Sequence, residues 1–183
     1  RRRHPLGDET ESIIHAIEAE RELLEPVKVE SDMVIDTTDM NVHQLKARIV
    51  DWFTEDDSDS LMRTSVMSFG YKHGVPSDAD LVLDCRFLPN PHWVEELRPF
   101  SGLDAKVRSF VLDKQATNDF LRRLMPMIDM LLPAYLREGK SYLTIAFGCT
   151  GGRHRSVAIS EEVSRLLRAR GFEIRTRHRD VEK

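Results

Sequence analysis

An α/β fold built on an open, mostly parallel sheet with flanking helices is what three features of this sequence predict. Short apolar runs containing β-branched residues recur at residues 63–69 (RTSVMSF), 81–87 (LVLDCRF), 142–147 (YLTIAF) and 172–177 (FEIRTR). Longer stretches between or around them carry apolar residues at helical spacing. The run at 142–147 also passes through Gly148-Cys149-Thr150-Gly151-Gly152 directly into a helical pattern, the strand–turn–helix order of parallel sheets.

The elements follow in chain order. Residues 8–24 place Ile13, Ile14, Ile17, Leu23 and Leu24 among many acids, an amphipathic helix that Pro26 is expected to close. MVIDT (33–37) reads as a short buried strand, and Thr38 or Asp39 as the cap of a helix over 41–53. Helix, strand and helix are too few for a doubly wound sheet, so residues 1–53 read as the tail of a preceding α/β domain. TEDDSDS (54–60) is an acidic linker; as a calcium loop it lacks the glycine and terminal glutamate. Residues 62–183 then form a second α/β domain, with 1–61 the remnant and linker before it. In the strand at 81–87, alternation puts Asp84 and Arg86 on one face, as a local ion pair or part of a ligand site. Residues 88–104 are proline-rich and aromatic, too long for a simple connector. Helices follow at 105–112 and 115–137, the second kinked or split by Pro126 and Pro133.

Composition narrows the function. The 183 residues contain no run of membrane-span length, which excludes a membrane partner, and only two cysteines, Cys85 and Cys149, which suits a reducing cytoplasm. Residues 1–61 hold 7 Lys/Arg against 16 Asp/Glu, a net −9, whereas 62–183 hold 20 against 15, a net +5. The start at Arg1 rather than Met suggests a piece of a longer protein. The apolar face around 120–132 and the 88–104 loop exceed what one small domain buries, which predicts a homodimer or higher homo-oligomer.

The candidate site centres on residues 148–156. Glycines admit a close anion, a helix start offers free N–H groups, Arg153, His154 and Arg155 add donors, and Ser156 can cap. The bland alternative is a tight turn with surface arginines. Lys72 and His73 sit in a second glycine-bracketed turn after a strand, and Arg175, Arg177, His178 and Arg179 crowd the end of the last one. Two chemistries fit. Cys149 and Arg155 form C-x5-R, the core of a cysteine phosphatase loop, with Asp84 or Asp104 as conjectural acids. Alternatively, Lys72, His73, Asp84, Arg86, Cys149, Thr150, Gly151, Gly152, Arg153, His154, Arg155 and Ser156 surround a small phosphorylated ligand without turnover. The terminal arginines then meet the ligand or nucleic-acid phosphates. No metal site is expected.

SFGYKHG (68–74), DADLVLDCRFLPNPHW (78–93), LRPFSGLD (97–104), GCTGGRHRS (148–156) and TRHRDVEK (176–183) together resemble the RapZ/YvcJ family of bacterial nucleotide-binding and RNase-adaptor proteins. RRRHPL and MVIDTTDMNVHQL are similar to the end of that family's P-loop NTPase-like domain, whose G-x-x-x-x-G-K-[ST] loop is not in these 183 residues. The resemblance implies a phosphofructokinase-like C-terminal domain. It implies ATP or GTP, with Mg, bound and hydrolysed by the whole protein, and no cofactor in this portion. It further implies an amino-sugar-phosphate sensor: glucosamine 6-phosphate in one branch, a UDP-linked hexosamine such as UDP-N-acetylglucosamine in others. Lys72, His73, Arg86, Thr150, Gly151, His154 and Arg155 fall on its ligand-site motif positions. Small RNA presented to an endoribonuclease is the implied macromolecular partner.

Overall fold

The structure, a computed structural model, describes residues 13–53 and 62–183. Expectations for residues 1–12 and for the linker at 54–60 lie outside the described residues. The chain divides into two units, residues 1–34 and 35–183.

In the first unit α1 spans Ile13–Glu30 and runs through Pro26 instead of stopping before it. Every residue around Pro26 is exposed, so the carbonyl left without an N–H partner meets water. The expected strand at 33–37 does not form. At the start of the second unit, Asp36 instead accepts from the Thr38 amide (3.0 Å) and hydroxyl (2.6 Å), a local turn that competes with extended backbone.

In the second unit α2 spans Val42–Phe53. Its cap is Asn41 rather than Thr38 or Asp39. The Gln44 amide donates to Asn41 Oδ1 (2.9 Å) and the Asn41 amide to Gln44 Oε1 (2.8 Å), a reciprocal capping box. The remaining elements are β1 (Arg63–Gly70), β2 (Leu81–Asp84), α3 (Ala105–Leu112), α4 (Gln115–Glu138), β3 (Tyr142–Cys149), α5 (Arg155–Arg168) and β4 (Ile174–His178). The strands make one sheet in the order β2-β3-β1-β4, with every pairing parallel. β2 stops at Asp84, three residues short of the expected end, because Asp84 turns back to accept from the Arg86 amide (2.8 Å).

The two middle strands are covered on both faces. Val66, Leu143, Ile145 and Phe147 join Ile128, Leu132, Ile159, Val163 and Leu167 in the main core, under α4 and α5. On the opposite face Met67, Phe69 and Ala146 form a smaller core with Tyr71 and Ala79. Trp52 of α2 meets Tyr142 edge-on at 4.9 Å on that face. Burying one of these large apolar side chains stabilises by about 1.5–3 kcal/mol, which is why β3 reads as a near-continuous apolar run.

α4 is one continuous helix of 24 residues, so of the two expectations, kinked or split, its prolines do not split it. Pro126 and Pro133 are seven residues apart and both exposed, so they share the outer face. The carbonyls they leave without a helical partner, at Arg122 and Asp129, therefore reach solvent.

Candidate functional site

The connection leaving β1 lies against the Phe69 face of the sheet, whereas α5, which follows the adjacent strand β3, packs on the other. Adjacent parallel strands whose connections diverge in this way open a crevice at their carboxyl ends, where open α/β sheets bind ligands. Gly70 and Cys149 are paired at those ends.

Glycine makes the crevice buildable. A Cβ on Gly70 would sit 2.6 Å from the Gly151 carbonyl carbon, and one on Gly152 would sit 2.6 Å from the Gly70 nitrogen. Gly152 also holds φ +77, a left-handed conformation that other residues adopt only under strain. Gly102 meets the same loop: its amide donates to the Arg153 carbonyl (2.8 Å), and a Cβ there would lie 2.3 Å from the His154 oxygen.

Polar side chains surround the gap. The Lys72 amide donates to the Thr150 carbonyl (3.2 Å), and Lys72 Cε lies 3.9 Å from the position of a Gly151 Cβ. Arg86 covers the Tyr71 ring at 4.0 Å and holds Asp84 through Nε and Nη2 (2.7–3.0 Å). Those Arg86 hydrogen bonds hold the Asp84 carboxyl below its usual range. Arg153 Nη2 donates to the Pro99 carbonyl (2.7 Å) and His154 Nε2 to that of Arg98 (3.3 Å), which makes residues 88–104 a wall of the site. Burial, helped by the charge of Arg153, lowers the His154 pKa against the hydrogen bonds to the Arg98 and Phe100 backbone that would raise it.

Beneath the loop the chemistry is closed. Arg155 is 5% exposed and donates through Nη1 to the carbonyls of Arg86 (2.6 Å) and Leu88 (3.1 Å), and through Nη2 to Thr150 Oγ1 (3.3 Å). Cys149 is 3% exposed, with Sγ 3.1 Å from Ser156 Oγ. A nucleophilic thiolate must reach a phosphorus atom, and a clamping guanidinium must point at its oxygens. These two groups point elsewhere. Ser156 does not cap α5 but lies fully buried in its first turn; His154 occupies the cap position and contributes no side-chain bond. The first amides of α5 therefore have no helical acceptor and receive none from the His154 side chain.

Lys72, Asp84, Arg86, Thr150, Gly151, Gly152, Arg153, His154 and Arg155 are thus brought together. His73, Arg175, Arg177 and Arg179 are not. They line a separate cleft of about 520 Å³ beside α2. There Asp78 binds both Arg48 and Arg177 (2.8 Å to the latter), with its side chain 8% exposed. Arg179 is consumed by Asp180 (2.8 Å) and by the carbonyls of Gly70, His73 and Gly74 (2.7–3.3 Å). His178 lies between Ser68 and Glu161 on the α5 face. Sequence reasoning missed Gly70, Tyr71, Gly102 and Asp180. The glycines could have been suspected from the motifs that contain them, but Asp180 gave no signal beyond an acid in a basic run. Among the described residues no group of three His, Cys, Asp or Glu side chains could hold a metal ion, and no helix is long and apolar enough to cross a membrane.

Residues 62–182 match the model of the RapZ C-terminal domain, and residues 1–57 that of the RapZ-like N-terminal domain. Similar curated proteins include nucleotide-binding proteins of Acidobacterium capsulatum (49% identical over 181 residues), Thermobifida fusca (50% over 181) and Frankia alni (51% over 182). Each match covers 99% of this chain and 59%, 61% and 62% of the respective relative. The chain therefore spans about three fifths of the length of the curated relatives it matches.

Proposed function

The chain belongs to the RapZ-like family of nucleotide-binding proteins, and from that premise we propose that residues 62–183 are a sensor domain for a phosphorylated amino sugar or a UDP-linked amino sugar. The observation that carries this reading is the helix start of α5, without a side-chain cap, opening onto a crevice built from Gly70, Gly151 and Gly152. Free amides and the helix dipole favour an anion there by about 0.3–1 kcal/mol, or up to about 2 kcal/mol when partly buried. Lys72 and Arg153 add charge. Asp84, ionised beside Arg86, is suited to a hydroxyl or ammonium group of the same ligand. Arg155 supports the loop from below and ties it to residues 86–88.

The role is binding rather than turnover, since Cys149 faces Ser156 inside the core. In the whole protein, nucleotide hydrolysis belongs to a P-loop carried by other residues. An RNA role has less support here, because Arg177, His178 and Arg179 already have partners within the fold. Titration calorimetry of the chain with glucosamine 6-phosphate, UDP-N-acetylglucosamine and ATP tests the sensor reading. One of the two amino sugars should bind saturably, and Lys72→Ala should weaken it about tenfold, a loss of about 1.4 kcal/mol. Absence of binding by both sugars would refute it.

A further inference from the structure

Asp180 follows three basic or imidazole residues, Arg177-His178-Arg179, yet its side chain is fully buried. Taking a carboxylate out of water costs several kcal/mol unless its oxygens are well matched. Here the match is to the Gly70 amide at the crevice and to two cations, Arg179 and Lys183, that line the cleft beside α2. Oδ2 accepts from the Gly70 amide at 2.7 Å and from Arg179 Nε at 3.0 Å and Nη2 at 2.8 Å, while Lys183 Nζ lies 3.2 Å from Oδ1. Asp180 Cβ is also 2.8 Å from where a Gly152 Cβ would stand. One side chain therefore touches both lips of the gap: Gly70 at the end of β1 and Gly152 in the loop after β3. Through Arg179 it also fixes the carbonyls of Gly70, His73 and Gly74, the strap that carries Lys72.

We propose that Asp180 is a positioning residue for the anion crevice. It sets the spacing of Gly70 against Gly152 and the placement of Lys72 without touching the ligand. The ligand readout rests on the sensor reading above; the backbone readout does not. Amide hydrogen exchange and calorimetry on Asp180→Ala, Asp180→Asn and a core control, Leu132→Ala (1% exposed), separate positioning from mere stability. In Asp180→Ala, exchange at Gly70 and at residues 150–152 should rise about tenfold or more, and sugar-phosphate affinity should fall about tenfold. Asp180→Asn keeps one acceptor for the Gly70 amide and should restore most of both. Leu132→Ala should lower the melting temperature and leave crevice exchange and affinity near wild type. Unchanged exchange at the crevice in Asp180→Ala, or a Leu132→Ala variant that loses affinity equally, would overturn the assignment. If the wild type binds neither sugar, the ligand reading fails while the exchange result still decides the role of Asp180.

Discussion

The crevice at the ends of β1 and β3 and the cleft beside α2 are both lined by arginines, and they differ in what those arginines hold. In the cleft, Arg48 and Arg177 converge on one buried carboxylate, Asp78, so each guanidinium meets a negative charge inside the fold. At the crevice, Arg86 holds the Asp84 carboxylate, whereas Arg153 and Arg155 donate to backbone carbonyls, which carry no formal charge. A carbonyl fixes the geometry of a guanidinium but does not neutralise it, so the field at the crevice remains available to an anion. A count of basic residues would have favoured the run at 175–179. The pattern of partners favours the loop at 150–155.

Four changes test that contrast, beginning with the largest effect. Asp78→Ala leaves two guanidinium groups facing one another, one of them well buried, and should cost about 3–5 kcal/mol of stability in denaturant unfolding. Its sugar-phosphate affinity below the transition should be unchanged; a large loss there would merge the two regions into one site. Gly152→Ala should cost about 2–3 kcal/mol, from strain at φ +77 and overlap with Gly70 and Asp180, and should also abolish binding. Arg155→Ala deprives two carbonyls and Thr150 of a buried donor, for about 1–3 kcal/mol, with affinity falling in parallel. Lys72→Ala, by contrast, should change stability by less than about 0.5 kcal/mol and act on affinity alone. If Lys72→Ala unfolded the domain while Arg155→Ala did not, the division into support and contact would be reversed.

The smallest expected effect is on the acid side. Burial raises the Asp180 pKa, but hydrogen bonds from Arg179 and Gly70 and the nearby charges outweigh it and leave it below 3.8. A carboxyl with a depressed folded pKa contributes stability above its unfolded value and loses it as pH falls through the folded one. Acid unfolding followed by circular dichroism should therefore show an added loss below about pH 4 that Asp180→Asn lacks. An identical acid profile in the two proteins would remove Asp180 from that transition.

The parallel sheet was legible because β3 is buried on both faces and mostly apolar, and β1, though it carries Thr64, Ser65 and Ser68, keeps a β-branched and apolar centre. The loop was legible because glycines, cations and a helix start coincide within nine residues, 148–156. Local signals misled where solvent or side chains intervened: Pro26, Pro126 and Pro133 break nothing on exposed faces, and Asp36 turns the chain where MVIDT promised a strand. Ser156, Ser160 and Ser164, spaced one helical turn apart, are all fully buried, with Ser156 Oγ 3.1 Å from Cys149 Sγ of β3. Nothing local distinguishes Arg155 as a support from Arg153 as part of a wall, or reveals that Asp180 reaches residue 70. Both depend on contacts across distant parts of the chain.

The central place of β1 has a kinetic consequence. Ser65 waits 79 positions for Thr144, and Gly70 waits 110 for Asp180. Loop closure over such lengths makes folding slow, and an apolar strand without neighbours is prone to aggregate meanwhile. During synthesis α3 and α4 emerge while β1 still lacks both flanking strands. The crevice then assembles only after residue 180 has left the ribosome. Chains truncated after Gly171 should leave β1 open to protease, whereas chains extending through Lys183 should protect it; protection of the shorter chain would exclude this order.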